Sequence, residues 1–158
     1  MTTPSGDTSI REGGRRRRAA VAAPVAAFDD RDRPANVDAE REILGSILLK
    51  PDVCDDVALL IKADDFFDEA HQILYRLLLE LHEAGKRVDV TIVIERLRTK
   101  GELEKIGGPS ALSEVIQSVP HAAHASHYAH IVRDKAVLRS LIAAGTDILR
   151  DAYDAADE

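Results

Sequence analysis

The most constraining feature of the sequence is the spacing of its apolar residues between positions 70 and 81. They recur three and four residues apart, at Ala70, Ile73, Leu74, Leu77, Leu78 and Leu81. In an α-helix, residues with this spacing lie on one side, which is therefore apolar, while the other side is polar. It predicts an amphipathic helix that ends at Gly85, since glycine readily adopts the backbone conformation that closes a helix.

The composition favours helices throughout the chain. Hydrophobic residues make up 45% of the sequence, but aromatic residues only 4%, and there is no tryptophan. A core of Leu, Ile, Val and Ala suits helices better than a β-sandwich or barrel. The single cysteine, Cys54, excludes an intramolecular disulfide and fits a reducing, cytoplasmic setting. No apolar run approaches the length of a membrane span, so we expect no membrane partner.

Further helices follow from caps and periodicity, and they give an all-α fold of about six helices. Asp38 is predicted to cap the first, and Pro51 to lie in the first turn of the second. The segment "VDVTIVIERLRTKG" has β-branched residues typical of a strand, but its later spacing is helical. We favour a helix between an Asp89 cap and a Gly101 stop. A short helix after Gly108 and a long C-terminal helix from about residue 125 to 153 complete the fold.

The N-terminal segment differs from the rest in composition. Residues 1–33 are rich in Gly, Pro, Ser, Ala and charge without a sustained period, which predicts a disordered tail before a helical domain at residues 34–156. The tail carries a net charge of +2 and the remainder −9, in agreement with the total of −7. Four consecutive arginines, residues 15–18, could contact nucleic acid or an acidic partner, although a solvated basic patch is the simpler interpretation. The stretch "AAVAAPVAAF" is too short and alanine-rich for a typical secretion signal.

Histidines occur at every third position between residues 121 and 130, which raises the question of a metal site. On a helix, side chains three residues apart step back by about 60°, so His121 and His130 would lie on opposite faces. Zinc needs three or four converging ligands. The spacing therefore predicts no metal site, and Pro120 places His121 before the helix. His71 could be a general base, but a hydrogen-bonded residue in the first turn of its helix is the preferred interpretation.

No motif for catalysis or phosphate binding is present. The chain has neither GxxxxGK[ST] nor GxGxxG nor GxSxG. We therefore predict no catalytic and no cofactor-binding residues, and a protein-interaction domain as the default class. The last helix has an apolar arc wider than burial on one side requires. It comprises two rows, Leu138, Ile142, Gly145, Leu149 and Val137, Leu141, Ala144, Ile148. Either a second chain or segment covers part of it, or the helix is buried within its own domain.

Three segments carry a resemblance to a known family when taken in order. They are "RPANVDAEREILGSILL", "DDFFDEAHQILYRLLLELHEAGKRVDVTIVIERLRTKGELEKIGG" and "VPHAAHASHYAHIVRDKAVLRSLI". Together they closely resemble the N-terminal domain of DnaB-type replicative DNA helicases. The matching positions are Pro34, Asn36, residues 38–40, residues 44–45, residues 65–67, His71, residues 88–89, Gly101, Leu103, residues 107–108, Pro120, residues 122–123 and residues 128–133. The match covers residues 34–153.

The resemblance implies a helical collar on a hexameric helicase ring that docks primase, and possibly a helicase loader, during DNA replication. The family's ATPase domain, which would use ATP and magnesium and act on DNA, does not follow in this chain. We therefore expect a truncated helicase without ATPase activity of its own, which forms a dimer through its exposed apolar rows. The expected partner-binding residues are Asp38, Ile142 and Ile148. The alternatives are a helicase-binding domain like that of primase, a stand-alone helical adaptor, and a nucleic-acid-binding module based on residues 15–18.

Overall fold

The computed structural model describes residues 32–157. Within this range it contains six α-helices and no strand: α1 (Val37–Leu49), α2 (Val53–Ala58), α3 (Glu69–Glu83), α4 (Val90–Lys100), α5 (Gly108–Gln117) and α6 (Ala125–Asp157). Single turns of 3-10 helix occur at Ala63–Asp65, Glu104–Ile106 and Ala122–His124. The predicted all-α class, the helix number and the long C-terminal helix are confirmed. The predicted disordered tail falls almost wholly on residues 1–31, outside the described range.

The chain divides into two units after Gly145. Residues 33–145 form a helical body, in which α1 lies against α2, α3, α5 and the Ala122–His124 turn. Its core consists mainly of aliphatic side chains from α1 and α3, among them Ile43, Leu44, Ile47, Leu77 and Leu78, all at most 1% exposed. The apolar spacing of positions 73–81 is therefore the buried side of α3. The described part of the second unit includes residues 146–157, the end of α6.

The start of α1 differs from the sequence prediction. Asn36, and not Asp38, is the N-cap, and its side-chain oxygen accepts a hydrogen bond from the Ala39 amide at 2.9 Å. Both residue types can cap a helix, so composition alone could not separate them. Asp38 instead lies in the first turn, where it pairs with Arg41 at 3.1 Å and its charge suits the helix dipole.

The start of α2 is also later than predicted. Pro51 precedes the helix, which begins at Val53, and its carbonyl oxygen accepts a hydrogen bond from the Cys54 amide at 3.0 Å. Pro51 is thus part of a turn between α1 and α2. The prediction of a first-turn proline was wrong by two residues.

The structure resolves the ambiguous segment after residue 88 in favour of a helix. Asp89 caps α4 by accepting a hydrogen bond from the Ile92 amide at 2.9 Å, and Gly101 ends it with φ of 69°. Gly85 similarly follows α3 with φ of 65°, as predicted. Both cap predictions are confirmed because glycine adopts positive φ without a steric penalty.

Gly45 lets α1 and α5 come into contact. A Cβ atom at this position would lie 2.5 Å from the Val115 carbonyl oxygen and would also overlap the Val119 side chain. The two helices could not approach so closely with a larger residue. None of the helices in residues 32–157 is long and apolar enough to cross a membrane.

Candidate protein-interaction surface

A buried carboxylate joins α1 to the start of α3. Glu40 is 1% exposed, and its Oε1 accepts a hydrogen bond from the Phe67 amide at 2.5 Å while Oε2 accepts one from the Asp68 amide at 3.3 Å. His71 Nδ1 lies 2.8 Å from Oε2. The amides next to the start of a helix lack backbone partners and favour a negative charge. Glu40 satisfies two of them and thereby fixes α1 against α3.

This arrangement gives His71 a structural role. The residue lies in the first turn of α3 and is hydrogen-bonded, as predicted. Glu40 is bonded to backbone amides as well as to the imidazole, so the pair attaches one helix to another. The burial of Glu40 was not predicted from the sequence. Its signal was a charge three and four residues before Ile43 and Leu44, on the apolar side of α1.

Arg139 makes a second set of long-range contacts, from α6. Its Nη1 donates a hydrogen bond to the Pro34 carbonyl oxygen at 2.8 Å, and its Nη2 donates one to the Asp65 carbonyl oxygen at 2.6 Å. The guanidinium carbon also lies 5.5 Å from the centre of the Phe67 ring. One side chain thus links α6 to the segment before α1 and to the segment before α3.

Within the body, α6 carries apolar residues on two sides. Ala125, Ala129, Val132 and Ala136 are buried and form its inner face. The outer apolar face consists of Val137 (50% exposed), Leu138 (45%), Leu141 (63%) and Ile142 (48%). At about 100° per residue, the centres of the two faces lie about 180° apart. The outer apolar face thus points away from the side that packs on the body, and its side chains remain about half exposed within the described residues.

The last part of α6 also exposes large side chains. In residues 146–157, Ile148, Leu149 and Tyr153 are all at least 40% exposed. Large apolar side chains that are exposed together on one helix often form a protein-protein contact.

The three expected partner-binding residues are all at the surface. Asp38 lies in the first turn of α1, where its side chain is 89% exposed, and Ile142 belongs to the outer apolar face. Ile148 is exposed in the unit that contains residues 146–157. All three are accessible to a partner, and their role in binding remains a prediction.

The histidine row lies around the start of α6. His121 precedes the helix, as predicted, and all four side chains are exposed. The rings of His121 and His124 meet edge to face, with centres 6.3 Å apart. In the described part of the chain, no three His, Cys, Asp or Glu residues are grouped so that they could hold a metal ion.

Cys54 is fully buried in the core. Burial is the main cause that raises the pKa of its thiol from 9.0 to about 11, with smaller contributions from Asp55 and Glu83. A neutral, inaccessible thiol is a poor nucleophile. Tyr75, in α3, is also fully buried. Its hydroxyl group donates a hydrogen bond to the Ile61 carbonyl oxygen at 3.0 Å, and burial raises the pKa of this hydroxyl. Both residues have a packing role.

The fold and surface define an all-helical domain with a long terminal helix. A family model described as the DnaB-like helicase N terminal domain matches residues 32–134. The chain belongs to this family.

Curated relatives are longer than this chain. Replicative DNA helicase DnaC of Bacillus subtilis (strain 168) is 38% identical over 131 residues, which cover 83% of this chain and 29% of the relative. Replicative DNA helicase DnaB of Geobacillus stearothermophilus is 37% identical over 131 residues, which again cover 83% of this chain and 29% of the relative. DnaB of Mycobacterium leprae (strain TN) is 38% identical over 136 residues, 86% of this chain and 22% of the relative. The chain thus spans less than a third of these relatives.

A solved structure has the same fold. The crystal structure of the N-terminal domain of DnaB helicase from Mycobacterium tuberculosis superposes with a TM-score of 0.75 at 38% sequence identity, and the match covers 77% of this chain and 88% of that one. The resemblance noted in the sequence is confirmed.

Proposed function

We propose that this chain is the N-terminal interaction domain of a replicative DNA helicase and that it works by protein contacts. The observation that carries the proposal is the outer apolar face, four large apolar side chains about half exposed on consecutive turns of α6. Leaving such a group in water is unfavourable, so a partner that covers it gains free energy. Membership of the helicase family supports the biological setting.

The first partner is a second copy of the chain. A helix face can pair with its own copy about a twofold axis, which gives a closed dimer. In the complete helicase the same contacts would contribute to a hexamer. This assignment is supported by the outer apolar face, whose four large side chains lie close together on two successive turns of α6.

Primase is the second partner, with a helicase loader as a further candidate. Asp38, Ile142 and Ile148 are the proposed contact residues, because each is exposed and the two isoleucines lie on the helix that presents apolar side chains. Titration of primase with an Asp38→Ala chain should show weaker binding than the unmodified chain. Equal affinities would remove Asp38 from the interface.

The catalytic work would belong to the complete protein. We propose that the parent helicase uses ATP and magnesium and acts on DNA in the cytoplasm, while residues 32–157 provide assembly and docking without catalysis. The relatives named as replicative helicases support this division, since this chain aligns with less than a third of each.

Self-association of the chain tests the interaction role. Leu141→Asp places a charge in the middle of the outer apolar face and should weaken the dimer by about tenfold or more, because a charge is costly to bury without a partner. Leu59→Asp is the matched control, since Leu59 is 85% exposed and lies outside α6. Sedimentation equilibrium of both variants gives the comparison. Equal dissociation constants for the two would contradict the proposal.

A further inference from the structure

We propose that Arg139 is a positioning residue that fixes residues 137–145 of α6 against the body and so presents the outer apolar face to a second copy of the chain. The inference rests on the proposed function, because it concerns how that face is held. It arises from three contacts of one side chain, to the Pro34 carbonyl, the Asp65 carbonyl and the Phe67 ring.

The buried side of α6 ends close to Arg139. Among the residues of α6 whose side chains the structure describes, Ala136 is the last that is buried. The next residues, Val137 and Leu138, belong to the outer apolar face and are about half exposed. The buried inner face therefore ends at Ala136, and Arg139 supplies polar contacts to the body one turn further along the helix.

Arg139 lies on the side of α6 that faces the body. Arg139 is three residues after Ala136 and seven after Val132, so it lies next to the inner face. Its guanidinium is half-buried against the body, while Leu138 and Leu141 project elsewhere. Arg139 can therefore hold the helix without occupying the surface that a partner needs.

The segment that Arg139 contacts before α3 is itself held by other side chains. The segment that contains Asp65 and Phe67 is fixed from the core side by the hydrogen bond from the Phe67 amide to Glu40. It is also held by Gln72, whose Nε2 donates to the Phe66 carbonyl oxygen at 2.7 Å. Arg139 contacts the same segment through the Asp65 carbonyl oxygen and the Phe67 ring. Because this segment is held in place, the contacts of Arg139 with it restrict the position of α6.

Arginine is suited to these three contacts by the shape of its side chain. A guanidinium is a planar fork that can donate to two carbonyl oxygens and stack on an aromatic ring at once. A lysine ammonium in the same place could donate to one carbonyl but would lose the fork and the stacking. The Arg139→Lys variant should therefore keep part of the contact to the body, whereas Arg139→Ala removes all three contacts.

The experiment measures distances between pairs of spin labels in the 158-residue chain by double electron–electron resonance. One pair is placed at the exposed positions Thr99 and Ala143, which report α6 against the body, and a reference pair at Asp52 and Thr99 reports the body alone. Cys54 is fully buried, with its thiol pKa raised to about 11, so labelling of the folded chain spares it. Labelled chains are diluted with unlabelled chain so that only distances within one molecule are read.

We expect Arg139→Ala to broaden the distance distribution between positions 99 and 143 and to leave the reference pair unchanged. Self-association should weaken by about tenfold, and Arg139→Lys should fall between Ala and wild type. Arg150→Ala is the matched control on the same helix, since Arg150 is exposed and pairs with Asp147 within α6. It should behave as wild type in both measurements.

Two results would overturn the inference. One is a distribution between positions 99 and 143 that stays as narrow in Arg139→Ala as in Arg150→Ala. The other is a broadened distribution with unchanged self-association while Leu141→Asp abolishes self-association, since the face would then bind without being positioned. If Leu141→Asp has no effect on self-association, the proposed docking face fails instead, and the distance measurement alone decides whether Arg139 holds α6.

Discussion

Glu40 shows at the level of a single residue what the sequence reveals and what it hides. Its position on the apolar side of α1 signals a buried charge. Its partners, Phe67, Asp68 and His71, lie 27 to 31 residues further along the chain, and only the packing of α3 on α1 brings them together. Local patterns predict helices, but the partner of a buried polar group depends on tertiary structure.

Replacement of Glu40 with alanine should lower the free energy of unfolding by about 3 kcal/mol or more, because two backbone amides and His71 lose their acceptor in a buried place. Urea denaturation gives the value. Glu80→Ala is the control, since Glu80 is about half exposed and pairs with Lys100 on the surface. Its effect on stability should be small. A Glu40→Ala chain as stable as the Glu80→Ala chain would contradict the structural role of Glu40.

At the level of helices, prediction succeeded where the caps were unambiguous. Asp89 and Gly101 bound α4 at both ends, and the helical spacing of Val93 and Leu97 outweighed the β-branched residues before them. The start of α1 was misplaced because Asn36 and Asp38 are equally good caps. The hydrogen bonds of Arg139 could not be predicted, because their acceptors are backbone carbonyl oxygens. Every residue has such an oxygen, so the sequence does not indicate which ones Arg139 reaches.

Two glycine substitutions test the packing of helices in opposite directions. Gly45→Ala should destabilise the chain by about 1–3 kcal/mol, because the added methyl group meets Val119 and the Val115 carbonyl between α1 and α5. Gly145→Ala should stabilise it by up to about 1 kcal/mol, since alanine favours a helix and no atom lies within 4 Å of the added carbon. Thermal unfolding of both variants measures the difference. The same sign for both would contradict this packing.

At the level of the whole molecule, the sequence predicted a wide apolar arc on the last helix but left its use open. Within residues 33–145, the large side chains of the two predicted rows form the outer apolar face, with Leu141 63% exposed, and the buried inner face lies on the opposite side of the helix, outside both rows. Burial against the described residues of the body therefore does not account for the outer apolar face. The division could not be read from the sequence, because the exposed outer residues are larger and more hydrophobic than the mostly alanine inner face, and only tertiary packing determines which side is buried.

The central claim is that the outer apolar face is a protein contact, and methyl NMR of the isotopically labelled chain across a dilution series tests it most directly. We predict that chemical shifts change with concentration at the methyl groups of Val137, Leu138, Leu141 and Ile142 and stay constant at Leu59, which is equally apolar and more exposed. Changes centred on Leu59, with constant shifts at the outer apolar face, would contradict the claim.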